Sequence, residues 1–159
     1  RHPTARLVLT GGRGAAEADV VRAIATAKHA GRIDRTGRVP VADLARHLAD
    51  ADVVAFPSTY EGFGIPVLEA MAAGVAVLVA DGTPAADLVQ DCNAVVGAGD
   101  PAAWAEALDR LLADRDHRNA LAARVLVAAR DRTWEASAAA LERAWRLLLD
   151  GSVPAGRGA

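Results

Sequence analysis

Short apolar runs alternate along this chain with longer segments whose apolar residues recur at the helical period. The predicted strands cover residues 7–10, 33–36, 53–56, 75–79 and 94–96. The predicted helices cover residues 15–30, 41–49, 66–73, 101–113, 115–130 and 133–149. Because strands that alternate with helices are typical of βαβ units, we predict an α/β fold with a doubly wound parallel sheet.

Two of the predicted helices carry a clear apolar stripe. One stripe consists of Trp104, Ala107, Leu108 and Leu111, and the other consists of Trp134, Ala138, Leu141, Trp145 and Leu148. We expect the three tryptophans to pack against neighbouring elements. The runs at 53–56 and 75–79 are nearly all apolar, which predicts strands that are buried on both faces.

Length and composition limit the class of protein. The 159 residues suffice for one domain, which we place at residues 1–150, followed by a flexible tail at 151–159. A net charge of −2 excludes a basic surface for nucleic acid. Cys92 is the only cysteine, and the sequence has neither a signal peptide nor a membrane-spanning run, so we expect a reducing, cytoplasmic location. Since the sequence starts at Arg1, we interpret it as a piece of a longer protein.

The segment from Pro57 to Gly74 carries the strongest chemical signal, because it leads from a predicted strand into a predicted helix. Gly62 and Gly64 allow close approach of a ligand and backbone angles that other residues avoid. Pro66 suits the first helical turn, and Gly74 suits the position after the last one. The helix would therefore present free amides to an anion such as phosphate.

Two glutamates, Glu61 and Glu69, flank these amides. Glu69 is expected in about the first turn of the helix, where an acid can simply complement the helix dipole. An ionised carboxylate beside a phosphate would repel it. Its presence there is better explained if it binds hydroxyl groups, such as those of a ribose or a sugar. A glycosidase also needs two carboxyl groups, but it does not need an anion-holding loop. The pair therefore predicts a nucleotide-sugar site.

The same residues resemble a known family, the retaining glycosyltransferases of the GT-B fold in family GT4, also called glycosyl transferases group 1. The match is the Glu-x7-Glu motif within the pattern P-S-x-x-E-G-F-G-x-P-x-x-E-A-M-A-x-G, and the resemblance extends from Leu7 to Leu148. It implies a Rossmann-like domain, the C-terminal half of a GT-B fold, that binds a nucleotide-diphosphate sugar such as GDP-mannose or a UDP-sugar. By this resemblance Glu61 is the catalytic residue and orients the sugar, and Glu69 binds the ribose. The remaining donor-binding residues that it implies are Gly62, Phe63, Gly64, Ile65, Arg38 and Val39.

The resemblance also implies what the chain lacks. The family's first strand with its basic pair, and its N-terminal acceptor-binding domain, would lie upstream of Arg1, so we expect the isolated fragment to be inactive. Where the family has a Pro-Glu pair, this chain has Ala86 and Asp87. Family members often engage lipid acceptors through the missing half, which leaves peripheral contact with the inner face of the membrane open. Neither a cofactor nor a metal is expected, since the four histidines have no partners at metal-ligand spacing.

Two alternatives to a hexosyltransferase stay open. One is a non-catalytic nucleotide-binding module, because the basic pair and the acceptor domain are absent. The other is a GT-B nucleotide-sugar epimerase, which the spacing of Glu61 and Glu69 disfavours.

Overall fold

The structure is a computed structural model that describes residues 1–150. At position 91 it describes only the backbone. The flexible tail expected at 151–159 lies outside the described residues. Five strands occur: β1 (Leu7–Thr10), β2 (Ile33–Gly37), β3 (Val53–Phe56), β4 (Ala76–Ala80) and β5 (Val95–Val96). The helices are α1 (Glu17–Thr26), α2 (Val41–Asp50), α3 (Ile65–Ala72), α4 (Pro84–Asp87), α5 (Pro101–Ala113), α6 (Arg115–Ala129) and α7 (Trp134–Leu149). Two short 3₁₀ turns occupy Ala30–Arg32 and Gln90–Cys92.

All strand pairs are parallel, which confirms the predicted α/β class, but the strands form two sheets. The first has the order β1-β2 and the second β3-β4-β5. A complete Rossmann sheet has the strand order 3-2-1-4-5-6. If strand 1 of that order is missing here, β1 and β3 of this chain correspond to strands 2 and 4, which are the two neighbours of strand 1. The break therefore falls where that order places the first strand, which the sequence was expected to lack.

The apolar core surrounds β4, all of whose residues are buried. Helices α3 and α6 pack against β4 and against each other, and α5 packs against α6, β3 and β5. Their buried side chains include Val67 and Met71 of α3, Leu111 of α5, and Leu121 and Val125 of α6. The predicted stripe on α5 is confirmed, since Trp104, Ala107 and Leu108 pack against this core.

Burial is uneven along the chain. In the described part, no residue before Gly64 is buried, and the apolar residues Leu7 and Val8 of β1 are exposed although neighbouring strand residues point to opposite faces. The strand β3 is also only partly buried, in contrast to the prediction for 53–56. Both strands have one edge without a hydrogen-bonded neighbour, which explains the difference from β4.

The prediction that all three tryptophans are packed is wrong for two of them. Helix α7 forms over the predicted residues, but Trp134 and Trp145 are exposed because none of the helix is buried against the described residues. Among the described residues, no helix combines the length and the apolar character needed to cross a membrane.

Helix α1 is shorter than the predicted 15–30. It ends at Thr26, whose hydroxyl donates to the carbonyl oxygens of Arg22 at 2.9 Å and Ala23 at 3.3 Å. Ala27 then adopts an extended conformation. Because such bonds from a threonine hydroxyl to the preceding turn compete with regular helix geometry, they accompany the end of α1 at Thr26.

Candidate functional site

The loop between β3 and α3 lies at the carboxyl end of β3, where parallel sheets bind their ligands. The Ser58 hydroxyl donates to the carbonyl oxygen of Tyr60 at 3.3 Å, which holds the turn that precedes Glu61. Within the part of the chain that the structure describes, the backbone N–H groups of residues 62–65 donate no hydrogen bond. Four successive residues thus hold free donors at the start of α3, as a site for an anion requires.

Gly64 determines how α3 begins. It is buried, it is the residue that precedes the helix, and its φ of 95° lies in the left-handed region. A Cβ atom on Gly64 would lie 2.6 Å from the Cβ atom of Ala85 on α4 and 3.1 Å from its Cα atom. Only glycine satisfies both the backbone angle and the space, so α4 can pack directly against the start of α3.

The special backbone angle predicted for Gly62 is not found. Gly62 is not among the glycines with positive φ, and an added Cβ would meet no atom within 4 Å. Gly62 is exposed, so its backbone is open to approach from solvent. The predicted roles of Pro66, in the first turn of α3, and of Gly74, with φ of 70° after the helix, are confirmed.

The two glutamates lie on either side of the free amides. Glu61 is half-buried in the loop and Glu69 is exposed on α3. Glu69 is the fifth residue of α3, so it lies at the start of the second turn, just beyond the first. Helical side chains lean toward the helix N-terminus, which directs Glu69 back toward the loop. Among the described residues neither carboxylate has a hydrogen-bond or ion-pair partner, so both can accept bonds from ligand hydroxyls.

Phe63 and Ile65 alternate with the glycines of this loop, and both side chains are about half exposed. An apolar side chain left uncovered beside free amides and carboxylates can contact the apolar face of a sugar ring or a base. The loop therefore offers hydrogen-bond donors, acceptors and apolar surface within a few consecutive residues.

Arg38 and Val39 lie at the end of the other sheet, between β2 and α2. The loop that follows β1 is joined to the end of β2 by a hydrogen bond from the Gly11 N–H to the Gly37 carbonyl oxygen, at 2.9 Å. The side chain of Arg38 lies across Gly12, since a Cβ there would be 3.0 Å from Arg38 Nε. Among the described residues, no hydrogen bond joins Arg38 or Val39 to the loop at 57–65.

A cavity of about 360 Å³ opens at the carboxyl end of β4, beside β5. Its lining comprises Asp81, Gly82, Thr83, Pro84, Ala86, Asp87, Gln90 and Val95. Neither Glu61 nor Glu69 lines it, but it adjoins the start of α3 through the contact between Gly64 and Ala85. Ala86 and Asp87, which stand where the family has a Pro-Glu pair, both line this cavity. Asp87 is exposed, whereas Ala86 is buried.

Sequence reasoning missed α4, which forms one wall of this cavity. A signal was present, because Thr83 in an extended conformation precedes Pro84 at the first helical turn, a common start for a helix. Thr83 is buried and its hydroxyl donates to the carbonyl oxygen of Ala80 at 3.1 Å. This bond anchors α4 to the end of β4.

The chain is similar to several glycosyltransferases. Over 142 residues it is 33% identical to the O-antigen chain mannosyltransferase B of Escherichia coli, covering 89% of this chain and 37% of that protein. It is 40% identical to the D-inositol 3-phosphate glycosyltransferase of Xylanimonas cellulosilytica over 142 residues, covering 86% of this chain and 34% of that protein. The chain thus spans about a third of the length of these curated relatives.

Solved structures share the fold. Sucrose-phosphate synthase from Thermosynechococcus elongatus superposes with a TM-score of 0.83 at 26% identity, covering 94% of this chain and 40% of that one. Anabaena HepE in complex with UDP and glucose gives a TM-score of 0.75 at 23% identity, covering 92% of this chain and 41% of that one. These likenesses confirm a Rossmann-like α/β fold of the GT-B type, of which the chain is a part.

The family description that matches is "Glycosyl transferases group 1", and the match covers residues 1–125. These residues include both sheets and the whole loop with Glu61 and Glu69. The chain therefore belongs to the glycosyl transferases group 1 family.

Proposed function

We propose that this chain is the donor-binding half of a retaining glycosyltransferase that moves a hexose from a nucleotide-diphosphate sugar to an acceptor. The observation that carries the proposal is the arrangement at the start of α3, where Glu61 and Glu69 flank four residues with free N–H groups. In a nucleotide sugar the diphosphate lies between the ribose and the transferred sugar. Here the hydrogen-bond donors for a diphosphate likewise lie between two carboxylates, each of which can accept from one set of hydroxyls.

Each residue has a defined part in the proposal. The free amides of residues 62–65 bind the diphosphate, and they stabilise the negative charge that grows on it as the sugar leaves. Glu69 accepts from the ribose hydroxyls, and Glu61 accepts from the hydroxyls of the transferred sugar and orients it. Arg38 and Val39 contact the base from the end of the first sheet. No step requires a metal ion, since amides and basic side chains meet the diphosphate charge.

The names of similar proteins support a nucleotide-sugar donor. The relatives are a mannosyltransferase and inositol phosphate glycosyltransferases, and the Anabaena neighbours hold UDP, glucose or UDP-glucose. We keep GDP-mannose and UDP-hexoses as the donor candidates. The curated relatives also favour an enzyme over a non-catalytic module or an epimerase, because they are transferases.

The proposal includes a second domain that binds the acceptor, supported by the greater length of the relatives. Any peripheral contact with the inner face of the membrane would come through that domain. The sequence contains one cysteine, Cys92, and so cannot form an internal disulfide, which supports a reducing, cytoplasmic location.

Calorimetric titration of the protein with UDP, GDP and ADP in the presence of a chelator tests the proposal. One nucleotide should bind, and Glu69→Gln should weaken it about 10-fold or more, the worth of a hydrogen bond to a charged group. Glu106→Gln is the matched control, because Glu106 is an exposed glutamate on α5. If Glu69→Gln binds as tightly as the control, or if binding needs a divalent metal, the proposal is wrong.

A further inference from the structure

Thr83 places a polar group inside an apolar core. It is 6% exposed, and among the described residues no other buried side chain carries an oxygen or nitrogen atom. Ala80 before it and Ala85 after it are fully buried. Because valine has the same shape and no polar group to bury, packing alone does not require a threonine there. What distinguishes the residue is the hydrogen bond that its hydroxyl makes.

This bond closes the turn between β4 and α4. The Thr83 hydroxyl donates to the carbonyl oxygen of Ala80, the last residue of β4, at 3.1 Å. The next residue, Asp81, donates its N–H to the carbonyl oxygen of Val96 at 2.8 Å, which fixes the end of β4 to β5. The chain then leaves the strand through Gly82, whose φ is 74°. Thr83 therefore ties the start of α4 to a firmly held part of the sheet.

Helix α4 depends on this attachment because it is only four residues long. A single helical turn is not stable by itself in water, so its position is set by what it is bonded to. Thr83 is bonded to both sides of the turn. Its hydroxyl contacts the strand, and its carbonyl oxygen accepts from the Ala86 N–H of the helix at 2.9 Å.

The position of α4 in turn determines the surroundings of Gly64. Ala85, in the first turn of α4, lies so close that a Cβ on Gly64 would be 2.6 Å from its Cβ atom, and Leu88 Cδ1 would be 3.6 Å away. Protein interiors are close-packed and transmit small displacements to their neighbours. A shift of α4 therefore changes the packing around Gly64.

Gly64 connects this packing to the free amides. Its carbonyl oxygen accepts from the N–H groups of Val67 at 2.9 Å and Leu68 at 3.2 Å, so Gly64 is joined to the first turn of α3. The free N–H groups belong to residues 62–65, which include Gly64 itself. Donors stabilise an anion best when they already point at it, and a misplacement of about 1 Å can cost roughly 100-fold in rate.

We propose that Thr83 is a positioning residue for the diphosphate of the donor. Its hydroxyl bond fixes α4, Ala85 of α4 fixes Gly64, and Gly64 sets the direction of the free amides. Thr83 acts through these contacts and not by direct contact with the diphosphate. The inference rests on the proposed function, because it requires that the amides of residues 62–65 bind the diphosphate.

The proposal predicts that Thr83 affects one part of the donor and not the others. The base and the ribose are assigned to Arg38, Val39 and Glu69, which lie outside the contacts that Thr83 controls. The ratio between the affinities for a nucleoside diphosphate and for its nucleoside measures what the diphosphate contributes. A purely structural role of Thr83 would leave this ratio unchanged.

Calorimetry with the full-length protein tests the inference. The ligands are whichever of UDP, GDP and ADP it binds, and the corresponding nucleoside, measured by displacement of that nucleotide. Thr83→Val keeps the shape and removes the hydroxyl, so it should weaken the nucleoside diphosphate about 10-fold or more and change the nucleoside affinity by less than about 2-fold. Thr83→Ser keeps the hydroxyl and should restore most of the lost affinity.

Thr26→Val is the matched control. It removes a hydroxyl that likewise donates to backbone carbonyl oxygens, at the end of α1, and it should change neither affinity. The inference is overturned if Thr83→Val weakens both ligands equally or weakens neither. A Thr83→Ser variant as weak as Thr83→Val also overturns it.

Hydrogen exchange in the unmodified full-length protein tests the same coupling without a substitution. The nucleoside diphosphate should slow exchange at residues 85–88 as well as at 62–65, beyond any effect of the nucleoside. Exchange at 85–88 that does not respond to the diphosphate would overturn the inference.

Glu69→Gln in the same titrations separates this inference from the proposed function. Glu69→Gln should weaken both ligands, because both carry the ribose. If it does so while Thr83→Val changes nothing, the inference is wrong and the proposed function stands. A protein that binds none of the three nucleotides overturns both.

Discussion

Gly64 lies so close to Ala85 that it has no room for a side chain: a Cβ on Gly64 would lie 2.6 Å from the Cβ of Ala85. This contact joins the start of α3, with its free amides, to α4 and the cavity beside it. Because Gly64 also has a φ of 95°, two independent constraints act at one residue. The shape of the proposed diphosphate site depends on both.

Gly64→Ala should destabilise the protein by roughly 2–4 kcal/mol, from the left-handed backbone and the overpacking against Ala85 together. Gly62→Ala is the control, since it has neither constraint, and it should change the free energy of unfolding by less than about 0.5 kcal/mol. Urea denaturation measures both. Adding Ala85→Gly to Gly64→Ala should recover part of the loss, and equal costs for Gly64→Ala and Gly62→Ala would contradict the contact.

Met71 tests whether the core lies around β4. It is fully buried on α3, so Met71→Ala should lower the free energy of unfolding by about 2–5 kcal/mol through lost burial and the cavity that it leaves. Val41→Ala, at a residue that is 85% exposed, should cost less than about 0.5 kcal/mol. The same denaturation experiment compares them, and a small loss at Met71 would show that the core is placed elsewhere.

Glu17 makes stability depend on pH. Arg35 binds its carboxylate with both terminal nitrogens, at 2.6 and 2.5 Å, and thereby lowers the pKa of Glu17 from its ordinary value of 4.5. The unfolded chain then binds more protons in acid, so the contribution of the pair is present above about pH 4.5 and is lost as the pH falls through the lower folded pKa. Unfolding midpoints between pH 7 and 3 should fall less steeply in Glu17→Gln than in the unchanged protein. Equal slopes would show that the pair does not form.

Local patterns were sufficient to predict much of this fold. The strands β1 and β3 have the predicted bounds, and α7 begins and ends within one residue of its prediction. Apolar runs, proline at helix starts and glycine after helix ends act through nearby residues, so a sequence shows them directly. The loop with Glu61 and Glu69 was found for the same reason, since its residues are consecutive.

Features that depend on distant contacts could not be predicted. The distinction between Gly64 and Gly62 comes from the packing of α4, which is 20 residues further along the chain. The break between β1 and β3 and the exposure of Trp134 and Trp145 depend on which neighbours an element has, not on its own pattern. The same holds for the position of Arg38 across Gly12.

The central claim is that Glu69 and Glu61 recognise different parts of one nucleotide sugar. The most direct test is calorimetry that compares the affinity for the nucleotide alone with the affinity for the same nucleotide carrying a hexose. Glu69→Gln should weaken both ligands by a similar factor, about 10-fold or more, because both carry the ribose. Glu61→Gln should leave the nucleotide affinity unchanged and remove the extra affinity that the hexose provides. Equal losses for the two ligands in Glu61→Gln, or no loss in either variant, would contradict the account.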